Sequence, residues 1–183
     1  MAKAKTGSFY LTETIQLPAA SANGARVQGE IDLGAYVNVP TGQAIAISSV
    51  DFIYQHDADF GGNVAGMVAA DAALSIQLTD LNPGTAFVRA DDHSLVASGC
   101  ISIDQTANMA THTSDLYPDN FGPSSLAEAF LVVNDTLYLV GGVDGAATGA
   151  TINYITARVR MQVVKLSQVD WMSIAISSTA SDN

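Results

Sequence analysis

The chain has 183 residues, 48% of them hydrophobic and 14% charged, with 18 acidic against 7 basic side chains and a formal net charge of −11. An average soluble domain carries about 25% charged residues. This balance excludes intrinsic disorder and a chain-wide nucleic-acid surface, and the single cysteine, Cys100, excludes a fold stapled by disulfides. The length is that of one domain with a sizeable core.

Residues 1–7 read as a polar N-terminal arm carrying Lys3 and Lys5. The basic start is not followed by an apolar run, because Thr6, Gly7, Ser8, Thr12, Glu13 and Thr14 interrupt it, so no secretory signal is expected. No stretch reaches the roughly 18 apolar residues of a membrane span, and synthesis in the cytoplasm without an anchor is expected.

From residue 8 the dominant period is two. In Ser8–Leu17, Phe9, Leu11, Ile15 and Leu17 share a face, with Glu13 as the exception. Val27–Val39 alternates over its whole length and predicts a strand with one face in the core and one in water. Ala44–Gln55 predicts a strand in which the apolar parity changes between Ile47 and Val50, the mark of a bulge or bend. Leu74–Thr79 alternates, Asn82-Pro83-Gly84 is a turn, and Thr85–Arg89 and Leu95–Ile103 predict strands on either side of Asp91-Asp92.

Residues 104–125, with Pro118 and Pro123 and few large apolar side chains, predict a long loop. Leu126–Val133 suits a short helix or a buried strand, Thr136–Val140 a strand, and Gly141–Gly149 a glycine-rich connection. The last long strand is expected at Thr151–Leu166. Ser167 with Asp170 three residues on has capping-box spacing, which predicts a short helix through Trp171–Ile176. Together these elements predict an all-β fold: an antiparallel eight-stranded sandwich, a single jelly roll over residues 8–176, with a short C-terminal helix and a tail at 177–183.

Candidate chemistry is sparse. His56, His93 and His112 are too far apart for an H-x-H metal strand, and solvated loop histidines account for them. Asp57, Asp59 and Asn63 have the spacing of part of a calcium loop, but Gly61 and Val68 stand where further oxygen ligands belong, so a polar turn is expected. Asp91-Asp92-His93 lacks a nucleophile motif, and Gly141-Gly142-Val143-Asp144-Gly145 precedes no helix that could hold a phosphate. Cys100, in an apolar run, is expected to be a buried inert thiol. No catalytic residue, metal or cofactor is expected. Five of the seven cations, Lys3, Lys5, Arg158, Arg160 and Lys165, gather at the two ends of the chain and are the candidate assembly contacts. A surface so poor in charge suits large contacts with other subunits, since charge is costly at interface centres.

The order of a short polar N-terminus, strands at Phe9–Leu17, Val27–Val39 and Ala44–Gln55, a long mid-chain loop, Thr136–Val140 and Ala157–Trp171 resembles small single jelly-roll major capsid proteins. The likeness is to tailless icosahedral viruses, particularly archaeal and marine ones with an internal membrane, and the segment Ala157–Trp171 carries most of it. The resemblance implies a non-enzymatic shell subunit that self-assembles into capsomers and resides in the virion. It also leaves room for a sister capsid protein and for an internal viral membrane nearby. Long Arg/Lys tails of capsid proteins that touch the genome have no counterpart beyond Lys3 and Lys5, so direct nucleic-acid contact is not expected. The competing expectation is an extracellular carbohydrate-binding or filament-forming β-sandwich, against which the missing signal peptide and the single tryptophan, Trp171, both weigh.

Overall fold

The computed structural model describes residues 2–58, 63–115 and 129–179. Its strands are β1 (Lys3–Ala4), β2 (Phe9–Leu17), β3 (Arg26–Asp32), β4 (Gln43–His56), β5 (Ala72–Thr79), β6 (Leu95–Asp104), β7 (Met109–Asp115), β8 (Phe130–Val132), β9 (Thr136–Asp144) and β10 (Asn153–Lys165), followed by helix α1 (Gln168–Thr179). All pairings are antiparallel. One sheet, A, has β2, β10, β4 and β8 in that order, with β1 sharing the β2 side of β10. The other, B, runs β3-β9-β5-β6-β7. The chain thus crosses from sheet to sheet at β2–β3, β3–β4 and β4–β5, and again at β7–β8, β8–β9 and β9–β10. Two four-stranded sheets wound in this order are a jelly roll, as the strand pattern predicts; β1 and β7 are additions to it.

The core lies between the sheets. Ile15, Ile45, Ile47, Ile155, Val159 and Met161 of sheet A face Ile31, Leu74, Ile76, Leu78, Leu137 and Leu139 of sheet B, and all are buried. Alternation sends every second residue of each strand inward, which is why Thr12, Thr14, Arg158 and Arg160 stand outside between buried or half-buried neighbours. The parity change in β4 has the cause expected of it. Ile47 pairs with Met161 but Ser49 pairs with Arg160, so Ser48 is an extra residue and the strand bulges there. Glu13, the exception on the β2 core face, sits above Gly29 of β3. A Cβ on Gly29 would come within 2.9 Å of the Glu13 carboxylate and 2.7 Å of Ile15, so only glycine admits both.

Some expectations are corrected. Alternation in Val27–Val39 continues past the strand: β3 stops at Asp32, whose carboxylate accepts the Gly34 N–H at 2.7 Å and turns the chain. Val39–Thr41 is then a 3-10 turn closed by Gly42 in a left-handed conformation. Thr85–Arg89 is not a strand. It is a loop tied down by Gln77, whose side chain donates to the Val88 carbonyl and accepts the Val88 N–H. Residues 109–115, within the expected 104–125 loop, form the edge strand β7, whose Met109 is exposed and whose composition shows no apolar face to reveal it. Residues 116–125 of that loop lie outside the described residues. β9 runs on through Gly141 and Gly142 to Asp144, because Gly141 lies beneath Ile15 and Ile155, where a side chain would collide.

Helix α1 starts as its spacing predicts, the Asp170 N–H donating to the Ser167 hydroxyl at 3.1 Å. It lies on the outer face of sheet A. Trp171, Ile174 and Ala175 cover Ala44, Ala46, Val133, Val164 and Leu166, a second apolar cluster separate from the main core. Among the described residues no helix is long and apolar enough to cross a membrane.

Candidate functional site

The sequence-derived assembly cations all fall on or beside sheet A. Lys3 of β1 is the register partner of Lys165 at the end of β10, and both are exposed. Like charges placed directly opposite on an antiparallel pair repel. The Lys5 ammonium donates to the Gln43 side chain at 2.6 Å, at the start of β4 beside Lys165. Arg158 and Arg160 stand farther along β10 on the outer face. The Arg158 guanidinium lies 5.0 Å from the Tyr10 ring centre. So the structure joins Lys3, Lys5 and Lys165 around one end of sheet A and leaves the two arginines as a separate pair.

Next to the lysines, α1 presents a second feature. Its inner face is buried on sheet A, yet Val169, Met172 and Ile176 on the opposite side are 76%, 59% and 60% exposed. Their spacing of three and four puts them on one stripe, with Gln168, Ser173 and Ser177 beside them and no charge among them. Apolar side chains aligned in this way on one exposed helix face are available for contact with another surface.

The calcium-loop candidates do not assemble. Asp57 is a left-handed turn residue with φ 64° whose carboxylate accepts the Ala58 N–H, and Asn63 opens a 3-10 turn. Asp59 lies outside the described residues. No cluster of three metal-ligating side chains occurs among the described residues. His56 is a buried strand-end residue within 3.2 Å of the Thr151 hydroxyl, whereas His93 is in an exposed turn and His112 is placed in β7 opposite Ile101. Cys100 is half-buried rather than buried, on the outer side of sheet B, where the Ser75 hydroxyl donates to its sulfur at 3.4 Å. An outward strand position explains this; the apolar run around it belongs to its inward neighbours.

Sequence reasoning missed Asp80. The residue follows β5, its N–H donates to the Ser94 carbonyl at 2.9 Å, and its carbonyl accepts from Asn134 at 2.8 Å. Its side chain is 2% exposed, and Oδ1 has no hydrogen-bond partner among the described residues. Burial pushes the carboxyl up to about 7, against an ordinary value near 3.8, and the like charge of Asp92 adds to the rise. A cleft of about 300 Å³ opens over it, lined by His93, Phe130, Leu131, Ile174 and Ser177. No motif marks such a place, since its residues come from a turn, a short strand and the C-terminal helix.

No family model and no curated protein matches the chain. Similarity appears among solved structures, at low identity. Merkel cell polyomavirus VP1, in complex with GD1a oligosaccharide, is 9% identical with a TM-score of 0.41, over 89% of this chain and 98% of that one. Trichodysplasia spinulosa-associated polyomavirus VP1 is 7% identical at a TM-score of 0.43, over 89% and 98%. Turnip yellow mosaic virus is 8% identical at 0.29, over 88% and 98%. These similar structures are viral capsid proteins.

Proposed function

We propose that the chain is a major capsid shell subunit that self-assembles into capsomers of an icosahedral virion and has a structural, non-enzymatic role. The observation that carries this reading is the pairing of a jelly-roll sandwich with an uncharged apolar stripe left in water on α1. The helix is already held by its inner face, so the outer stripe serves something other than the subunit's own stability. A chain with net charge −11 repels its copies except where contact surfaces are free of charge, and this stripe is such a surface. The cations of sheet A supply the counterpart for acidic surfaces of neighbours. The sequence resemblance assigns the subunit to viruses with an internal membrane, with residues 1–7 as an arm, a sister capsid protein as a further partner and no direct contact with the genome.

Electron microscopy and sedimentation of the purified chain test the reading. Shells, or discrete capsomers that grow with concentration, are the expected result. A strictly monomeric chain from micromolar to millimolar concentration would refute it.

A further inference from the structure

The cleft over Asp80 has an unusual combination of parts. One wall is a carboxylate that is 2% exposed and has an oxygen without a hydrogen bond among the described residues. The others are the apolar Phe130, Leu131 and Ile174, with Ser177 and His93 beside them. An ionised carboxylate buried without a partner is costly, and it is relieved by a proton or by a cation. Calcium needs six to eight oxygen ligands and magnesium a near-ideal octahedron, and this lining offers little beyond one carboxylate and one hydroxyl. An ammonium at the end of a methylene stem fits better, with the charge on Asp80 and the stem against the apolar wall. The volume of about 300 Å³ is at the small end for ligand sites, the scale of a side chain rather than a cofactor.

The chain itself carries the matching group. Lys3 and Lys165 face each other across β1 and β10, both exposed, and neither has an ion pair among the described residues. Among the described residues, each subunit therefore holds a carboxylate lacking a cation and a lysine pair lacking an anion. We propose that the Asp80 cleft is a socket for a lysine side chain, from Lys3 or Lys165, of a second copy of the chain. Such a contact joins two different patches, so it is heterologous and propagates into rings or larger arrays. It rests on the shell reading above and names one of the contacts that shell would use.

The titratable groups around Asp80 are Asp92 and His93, from the connection between β5 and β6; the residues that β8 and α1 bring to the cleft are uncharged. With the Asp80 carboxyl at about 7, its ionised fraction rises about tenfold from pH 6 to pH 8, and cation binding should rise with it.

n-Butylammonium is the probe, titrated into the folded full chain and followed by NMR. Saturable binding at pH 8, about tenfold tighter than at pH 6 and lost in Asp80→Asn, supports the socket; no binding, or equal binding to the variant, overturns it. Sedimentation of the wild type, Asp80→Asn and the double variant Lys3→Gln/Lys165→Gln supplies the second measurement, with circular dichroism confirming that each is folded. Loss of association in both variants supports the contact. Should the wild type assemble and both variants assemble equally well, the socket is overturned while the shell reading stands. A wild type that never associates overturns both.

Discussion

Replacing Asp80 with asparagine keeps the shape of the side chain and removes its charge, so the effect on stability should depend on pH in a calculable way. In the folded subunit the carboxyl lies at about 7, whereas in the unfolded chain it returns to its ordinary value near 3.8. The native state therefore holds this proton more tightly than the unfolded state. Stability falls as pH rises from about 4, and the full cost is reached above about 7. At about 1.4 kcal/mol per pH unit, the cost is between about 1 and 2 kcal/mol at pH 5 and roughly 4 kcal/mol at pH 8, an upper bound because solvent screening reduces it. Asparagine carries none of it, and its own need for hydrogen bonds does not vary with pH. The gap in unfolding free energy between variant and wild type should thus widen by about 2 to 3 kcal/mol, in favour of the variant, from pH 5 to pH 8. Urea denaturation of the unassembled subunit at low concentration measures it, because assembly would add its own stabilisation. Wild type and variant changing in parallel with pH would refute the assignment of a buried, uncompensated charge to Asp80.

Other positions test the fold. Leu139→Ala removes a fully buried side chain between the sheets and should cost about 2 to 5 kcal/mol in urea denaturation. Gly42→Ala should lower the melting temperature through a loss of more than about 1 kcal/mol. Gly42 has φ 67°, and a Cβ there would lie 2.6 Å from the Leu166 carbonyl oxygen. Arg26 Nη2 donates to both carboxylate oxygens of Asp144 at 2.7 Å, and its guanidinium lies 4.4 Å from the Phe87 ring centre. Because Asp144 is half exposed, Asp144→Asn should cost only about 1 kcal/mol, and the difference should shrink at high salt. Trp171→Ala should loosen α1 before the sandwich melts, read as earlier proteolysis in residues 168–179 with the β signal in circular dichroism unchanged.

Much of the sandwich was legible because a strand with one buried face writes its geometry directly into alternation. β2, β4, β5 and β10 follow the pattern of their apolar residues closely, and the bulge in β4 announced itself as a change of parity. Legibility failed where alternation and hydrogen bonding part company. Gly34, Tyr36 and Asn38 continue the polar-apolar rhythm of β3, but Asp32 captures the Gly34 N–H and the ladder ends. In the opposite direction, β7 keeps its ladder with a composition too polar to display a face. At the candidate site, the clustering of cations at the chain ends was readable, because β1 and β10 bring those ends together. The Asp80 cleft was not, since burial of a single turn aspartate depends on which distant segments close over it. The apolar stripe of α1 was hidden for a related reason: Val169, Met172 and Ile176 look like core residues until Trp171, Ile174 and Ala175 are seen to occupy the inward face.

The position of β10 has a consequence for how the subunit must be made. It lies between β2 and β4, so the two longest pairings of sheet A wait until β10, which follows both in the chain by about a hundred residues or more, has left the ribosome. Until then β2 and β4 expose bare edges and half of the core lacks its lining, which is the condition in which β chains adhere to one another. A nascent or C-terminally clipped chain is therefore an aggregation hazard rather than a smaller version of the subunit. Sheet A closes, and α1 docks upon it, only once residues 153–179 have been made.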